Sequence, residues 1–448
     1  MVETVKKKFE SLQFIPFVLV NGMNLFPIFI LVHIFLQNNH EFRYLLPLLF
    51  FYCFKSTILF LIRLKTLPMR RLLFVAIGLG ILGCGFGLLL NQSIAFGWIA
   101  GGLLGICSGL MFPSYMTVMF HERTLNDFNN KESNQLYSLG FAIIFSTILF
   151  KLIDASIVGT FLFLGLNLLL LASVLSTYPT YTIDETIPYP NYSTIETLVL
   201  FFVGFFSVFI IKGDKKLGVS HFLLTLMIIM AILLVIYFIY YKKITRQRQF
   251  RPLESAMMLY KGMLTNFILV FCTLYQMINH GKSSLMIIYS LYLTSIIISP
   301  MMAKKIQNKE KIIFYGLMFG FLLLITHELF YVGVFTLSVI TSIYNQQLNQ
   351  AVYHYPVLPR DFRLIAKYRL GNIGSILHQL LMMSTLFIVT KYAHNVSLDN
   401  ILRSYTFKQI DTNAISVLDM SKYALLGCFA IILIILKNRQ KKEAVFSK

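Results

Sequence analysis

Lys55 is the residue whose surroundings call for an explanation. It interrupts an apolar run that begins near Leu45 and ends near Arg63. If that run is a membrane-spanning helix, Lys55 lies about halfway along it, too deep for easy snorkelling. An uncompensated charge there costs about 2.5–3.5 kcal/mol. The ammonium must therefore meet water, find a partner or give up its proton. One reading places it in an aqueous cavity, where it attracts an anionic group. The other has it cap a backbone carbonyl.

Softer polar residues sit in other apolar runs. Asn21 and Asn24 are three apart and share one helical face, with Gly22 between them. Asn266 and Gln276 interrupt a later run, and His378 with Gln379 another. Asn345, Gln346 and Gln347 lie near the end of a run. Each amide could instead make an interhelical hydrogen bond, and His378 could be a packing residue. Acidic residues, by contrast, fall in loops or near run ends: Asp154 and Glu328 at two outer ends, Glu254 at an inner one. Enzyme signatures are lacking. The chain has no HExxH and no GxxxxGK[ST]. His327 and Glu328 are adjacent and point to different helix faces. The five cysteines lie in apolar runs without CxxC spacing, so neither a disulfide framework nor a metal site is expected.

The composition says what must position these residues. A 57% hydrophobic, 13% charged chain with mean hydropathy +0.72 is expected to be an integral membrane protein. Apolar runs predict fourteen spans: 14–36, 45–63, 72–90, 94–120, 137–153, 156–176, 197–211, 219–241, 256–278, 285–303, 312–328, 331–349, 370–390 and 421–437. The fourth run is expected to end before its last turn. Lys55, Lys151 and Lys261 fall inside spans. With both termini in the cytoplasm of a cell-membrane protein, inner segments carry a roughly threefold excess of Lys and Arg, which accounts for the net charge of +20. Residues 177–196 run against that pattern, with Asp184, Glu185 and Glu196 and no basic residue. Residues 350–369 hold Pro356 and Pro359, then Phe362, Ile365, Arg363, Lys367 and Arg369, a pattern that suits a short interfacial helix. The 393–420 segment reads as the longest external loop, and Asn395–Ser397 within it matches a glycosylation acceptor.

One run carries a family likeness. In Ile94 to Phe120, Gly97, Gly101, Gly105 and Gly109 recur every fourth position, so they share a face on which a second helix can approach closely. Pro113 follows and removes a backbone donor. Gly105, Cys107, Ser108, Gly109 and Pro113 resemble the fourth-span pattern RxxqGxgaaxxxP of the major facilitator superfamily; Gly101 stands at the Arg position and Leu104 at the Gln position. The loop after the second span ends in Arg70 and Arg71, similar to the basic pair closing that superfamily's GxxxDRxGRR loop, without its Asp and glycines. A second basic loop, with Lys304, Lys305, Lys309 and Lys311, stands at the matching place after the tenth span.

The resemblance implies an all-α major facilitator-type bundle with two six-helix halves, 1–176 and 252–448, and a two-helix insertion over 177–251. That arrangement is similar to the fourteen-span drug:proton antiporter branch. In such a bundle spans 1, 2, 4, 5, 9, 10, 12 and 13 line a central cavity. Asn21, Asn24, Lys55, Asn266 and His378 are then the substrate contacts. Arg70 and Arg71 serve gating, docked on helix C-termini, and Gly101, Gly105, Gly109 and Pro113 serve packing. The implied activity is secondary transport by alternating access, an exporter of an amphiphilic molecule. The deep amine and the lack of a mid-depth carboxylate favour a neutral or anionic substrate, and the lack of a GxxxGP run in the fifth span makes the resemblance one of fold more than of proton-for-drug exchange. No cofactor, metal or nucleic acid is expected; the partners are the small-molecule substrate, the lipid bilayer and a coupling ion. Two other readings stay open. One is a polytopic transferase or polymerase acting on a lipid-linked substrate with His394, Asp399, Arg403 and Asp411. The other is a non-transporting protein on a decayed transporter fold.

Overall fold

The computed structural model describes residues 14–38, 41–62, 68–125, 135–178, 187, 194–217, 250–281, 283–392, 396–407 and 412–446. The span expected at 219–241 lies outside these residues, as do His394, Asn395 and Asp411. Helix is the only regular structure among the described residues. Ten helices there are long and apolar enough to cross a membrane. The chain divides into two compact units, Met1–Phe209 with Tyr353–Ile365, and Ile210–Val352 with Ala366–Lys448.

The first unit contains α1 (Phe14–Gly22), α2 (Phe26–Gln37), α3 (Phe42–Leu61), α4 (Met69–Leu88), α5 (Ile94–Leu125), α6 (Gln135–Ala155) and α7 (Ile157–Ser176), and most of α8 (Thr194–Leu217). Helix α5 is its axis and packs against both α3 and α4. The glycines explain how. A Cβ on Gly105 would fall 2.6 Å from the Phe51 carbonyl oxygen, and one on Gly109 2.8 Å from that of Lys55. One on Gly101 would collide with the Pro47 carbonyl. The stripe therefore lies on the α3 backbone. Helix α5 runs unbroken through Pro113 and continues to Leu125, further than its apolar run indicated.

The first span is broken, which its apolar pattern did not show. Pro27 has no N–H to return to the Met23 carbonyl, and Ile28 donates to Leu25 rather than Asn24. Residues Met23 to Leu25 form a turn between α1 and α2, and the Asn24 carbonyl is left outside the helical ladder.

The second unit contains α9 (Pro252–Asn266), a π-helical turn (Phe267–Phe271), α10 (Cys272–His280), α11 (Ser283–Lys305) and α12 (Lys309–Leu323). It also holds most of α13 (Phe330–Tyr353) and α14 (Arg360–Tyr392), then α15 (Leu398–Phe407) and α16 (Thr412–Phe446). Cβ atoms on Gly262 and Gly374 would collide with the Gly371 and Leu259 carbonyls, so α9 and α14 touch backbone to backbone.

Two expectations are corrected here. The amphipathic stretch at 360–369 is no separate interfacial helix. It is the first turns of α14, and Phe362, Arg363, Ile365, Lys367 and Arg369 are all buried. Its polar face meets protein polar groups, which satisfies the same pattern as a water surface would. The 393–420 segment is no plain loop either: α15 crosses it and α16 begins at Thr412.

Candidate substrate site

The break in the first span meets Lys55. Its Nζ donates to the freed Asn24 carbonyl at 2.7 Å, and its ammonium lies 5.5 Å from the centre of the Phe51 ring. Ser108, on the glycine face of α5, donates to the Asn24 side-chain oxygen at 3.1 Å. Lys55 and Asn24 are half-buried, whereas Asn21 is buried and donates to Phe17 of its own helix at 2.7 Å. Three elements thus converge: the break offers an acceptor, α3 a cation and α5 a hydroxyl. Among the described residues the Lys55 ammonium donates to one carbonyl, which leaves two of its three N–H donors for a ligand.

In the second unit the expected residues also meet. Asn266, at the junction with the π-helical turn, donates to the Ser375 hydroxyl at 3.1 Å. Its side-chain oxygen lies 2.9 Å from His378 Nδ1, which therefore carries the proton of that bond. His378 is fully buried, with the rings of Phe267 and Phe429 about it at 5.9 and 5.8 Å. Its visible role is to hold Asn266 in place.

Arg70 donates to the Ser176 carbonyl at 3.3 Å, at the C-terminus of α7, where the helix dipole favours a cation. Arg71 is exposed. Pro113 is buried, and its carbonyl accepts from Thr117 at 2.9 Å.

Three polar networks escaped the sequence reading. His121, on α5 and fully buried, lies 2.7 Å from Asp361 and 2.7 Å from the Tyr353 hydroxyl, both in the segment assigned to the first unit. Asp419 lies well inside α16 and accepts from Tyr275 at 2.7 Å and Lys422 at 3.0 Å, with His327 at 3.5 Å. Asp419, expected just before its span, lies inside α16, because that helix starts earlier than its apolar run. Helical spacing of Asp419 and Lys422, three apart, was the available signal. The third network surrounds Lys367, on α14. No group of His, Cys, Asp and Glu among the described residues could hold a metal.

No family model and no curated protein sequence matches the chain. Solved structures do. One, from work on substrate recognition in proton-dependent oligopeptide transporters, is similar over 97% of this chain and 99% of that one, at 14% identity and a TM-score of 0.54. A bacterial homologue of the human drug peptide transporters matches over 98% and 99%, at 13% identity and a TM-score of 0.55. Tetrameric PepTSo2 matches over 97% and 99%, at 13% identity and a TM-score of 0.55. At these identities the likeness is one of fold, and the fold is an all-α membrane bundle of the major facilitator type.

Proposed function

We propose that the chain is a secondary-active transporter which moves a small neutral or anionic molecule across a membrane by alternating access. The observation that carries this reading is the coverage. Nearly the whole chain, not one motif, follows a transporter fold. The Lys55–Asn24–Ser108 cluster adds the chemistry. A half-buried amine with free donors in a span suits a carboxylate or a polar uncharged group better than a cation. In this proposal Asn24 and Lys55 contact substrate, Asn266 does so in the second unit, and Asn21 and His378 keep the local helices in register. Arg70 clamps a helix end during closure. The halves 1–176 and 252–448 rock about the path, the 177–251 insertion lies between them in sequence, and both termini face the cytoplasm. Export of an amphiphilic compound is the direction we favour, with the coupling ion left unassigned.

The test is reconstitution. Proteoliposomes are assayed with a panel of neutral and anionic amphiphiles for efflux and for counterflow. Saturable, trans-stimulated flux is expected for at least one compound. A preparation that binds a panel member yet moves none faster than empty liposomes overturns the reading.

A further inference from the structure

We propose that the second unit contains an oxyanion site built on Lys261 and Lys367, suited to the carboxylate or phosphate of a small molecule. The proposal rests on the transporter reading and names its substrate class. Lys367 is 2% exposed. Its Nζ donates to the side-chain oxygens of Asn345 and Asn349, one helical turn apart on α13. The Tyr368 hydroxyl donates to Asn349 at 3.3 Å. Every one of these acceptors of Lys367 is neutral. Amide dipoles can orient a buried cation but do not cancel its charge.

Lys261, on α9, is half-buried, and its ammonium has neither hydrogen bond nor ion pair among the described residues. Gly262, the next residue, lies against the Gly371 carbonyl of α14, one helical turn beyond Lys367. Two cations thus lie on helices that touch, with no carboxylate paired to either among the described residues, and each raises the cost of the other. An anion seated with them would reverse the sign of both terms. The donors for it are in place. Lys261 offers three N–H groups. Asn345 and Asn349 turn their oxygens to Lys367, so their NH2 groups point elsewhere. These residues come from α9, α13 and α14, three helices of the second unit.

The experiment uses the full-length protein in detergent. Kd is measured by calorimetry for benzoate and phenyl phosphate, with benzamide as the uncharged match. Variants are Lys261→Gln, Lys261→Arg and, as a charge-loss control, exposed Lys151→Gln. Thermal unfolding establishes that each folds. The wild type is expected to bind at least one of the two anions well above benzamide. Lys261→Gln should weaken that anion at least about tenfold, while Lys261→Arg keeps most of the affinity and Lys151→Gln all of it. Benzoate against phenyl phosphate tells carboxylate from phosphate. Wild-type Kd in Lys261→Gln, or anions bound no better than benzamide, overturns the site. Binding needs no flux, so the two readings fail separately. Lys261-dependent binding without transport sinks the transporter, and transport without it sinks the anion site.

Discussion

The Lys55 ammonium sits 2.7 Å from the Asn24 main-chain oxygen, the carbonyl set free where the first span breaks. The pair couples a helix defect to a buried charge. Each answers the other's cost, since an orphaned carbonyl and a lone amine are both expensive inside a membrane.

Lys55→Ala is expected to abolish transport while leaving expression intact, and Lys55→Arg to retain part of it. Removing a charged hydrogen bond to a buried carbonyl should also cost about 1.5–3 kcal/mol of stability. Flux and thermal unfolding are measured together. Full transport by Lys55→Ala would remove this residue from the mechanism.

Pro27→Ala separates the break from the charge. With an N–H restored, residue 27 can close the ladder to Met23 and the helix can run on through Asn24. Lys55 then loses its acceptor. Transport should fall, and thermal stability should drop less than in Lys55→Ala, because the restored helical bond offsets part of the lost Lys55 bond. Unchanged transport would mean the break is incidental.

Gly105→Val tests the α3–α5 contact. The added Cβ would lie 2.6 Å from the Phe51 carbonyl oxygen, so the helices must part. A loss of about 1–3 kcal/mol is expected. Gly140→Ala, with nothing within 4 Å of the new methyl, should be neutral and serves as the reference. Equal unfolding temperatures for the two variants would contradict the packing account.

Asp361 and His121 are expected to be coupled. The bond of 2.7 Å is buried on the His121 side, so either single alanine strands a polar partner. A double-mutant cycle should show about 1–3 kcal/mol of interaction. Additive effects would show that the bond contributes nothing of its own.

Asp419→Ala should be more harmful than Asp419→Ala with Lys422→Met. Lys422 is fully buried, and without its carboxylate its charge is left with only neutral partners among the described residues, the Tyr275 hydroxyl, the Ile325 carbonyl and the Tyr275 and Tyr423 rings. A single loss of about 3–5 kcal/mol is expected, with partial recovery in the double variant. Unfolding temperatures decide it, and a double variant no better than the single refutes the strain of an unpaired lysine.

Some of this was legible in the residues alone. The four-residue period of Gly101, Gly105 and Gly109 placed them on one face, because helical geometry leaves no freedom in that. The depth of Lys55 followed from counting along its run. Arg70 was singled out by the family likeness of its loop, and it does donate to a carbonyl at a helix end. Among the described residues, helix existence was legible wherever the apolar run was long.

Only the tertiary structure decided what those faces meet. The apolar run 14–36 read as one unbroken span, and only the packed chain shows it broken before Pro27 with the Asn24 carbonyl turned out to Lys55. The basic pattern at 360–369 is the same whether its face meets water or amides, and here it meets Asn345 and Asn349. Asp419 joins α16 because Lys422 and Tyr275 make a helical turn there affordable, which a window of hydropathy does not register. Periodicity settles which side chains lie together on a helix. Which partner each face finds depends on helices far apart in the chain, and that information is spread over contacts no local pattern contains.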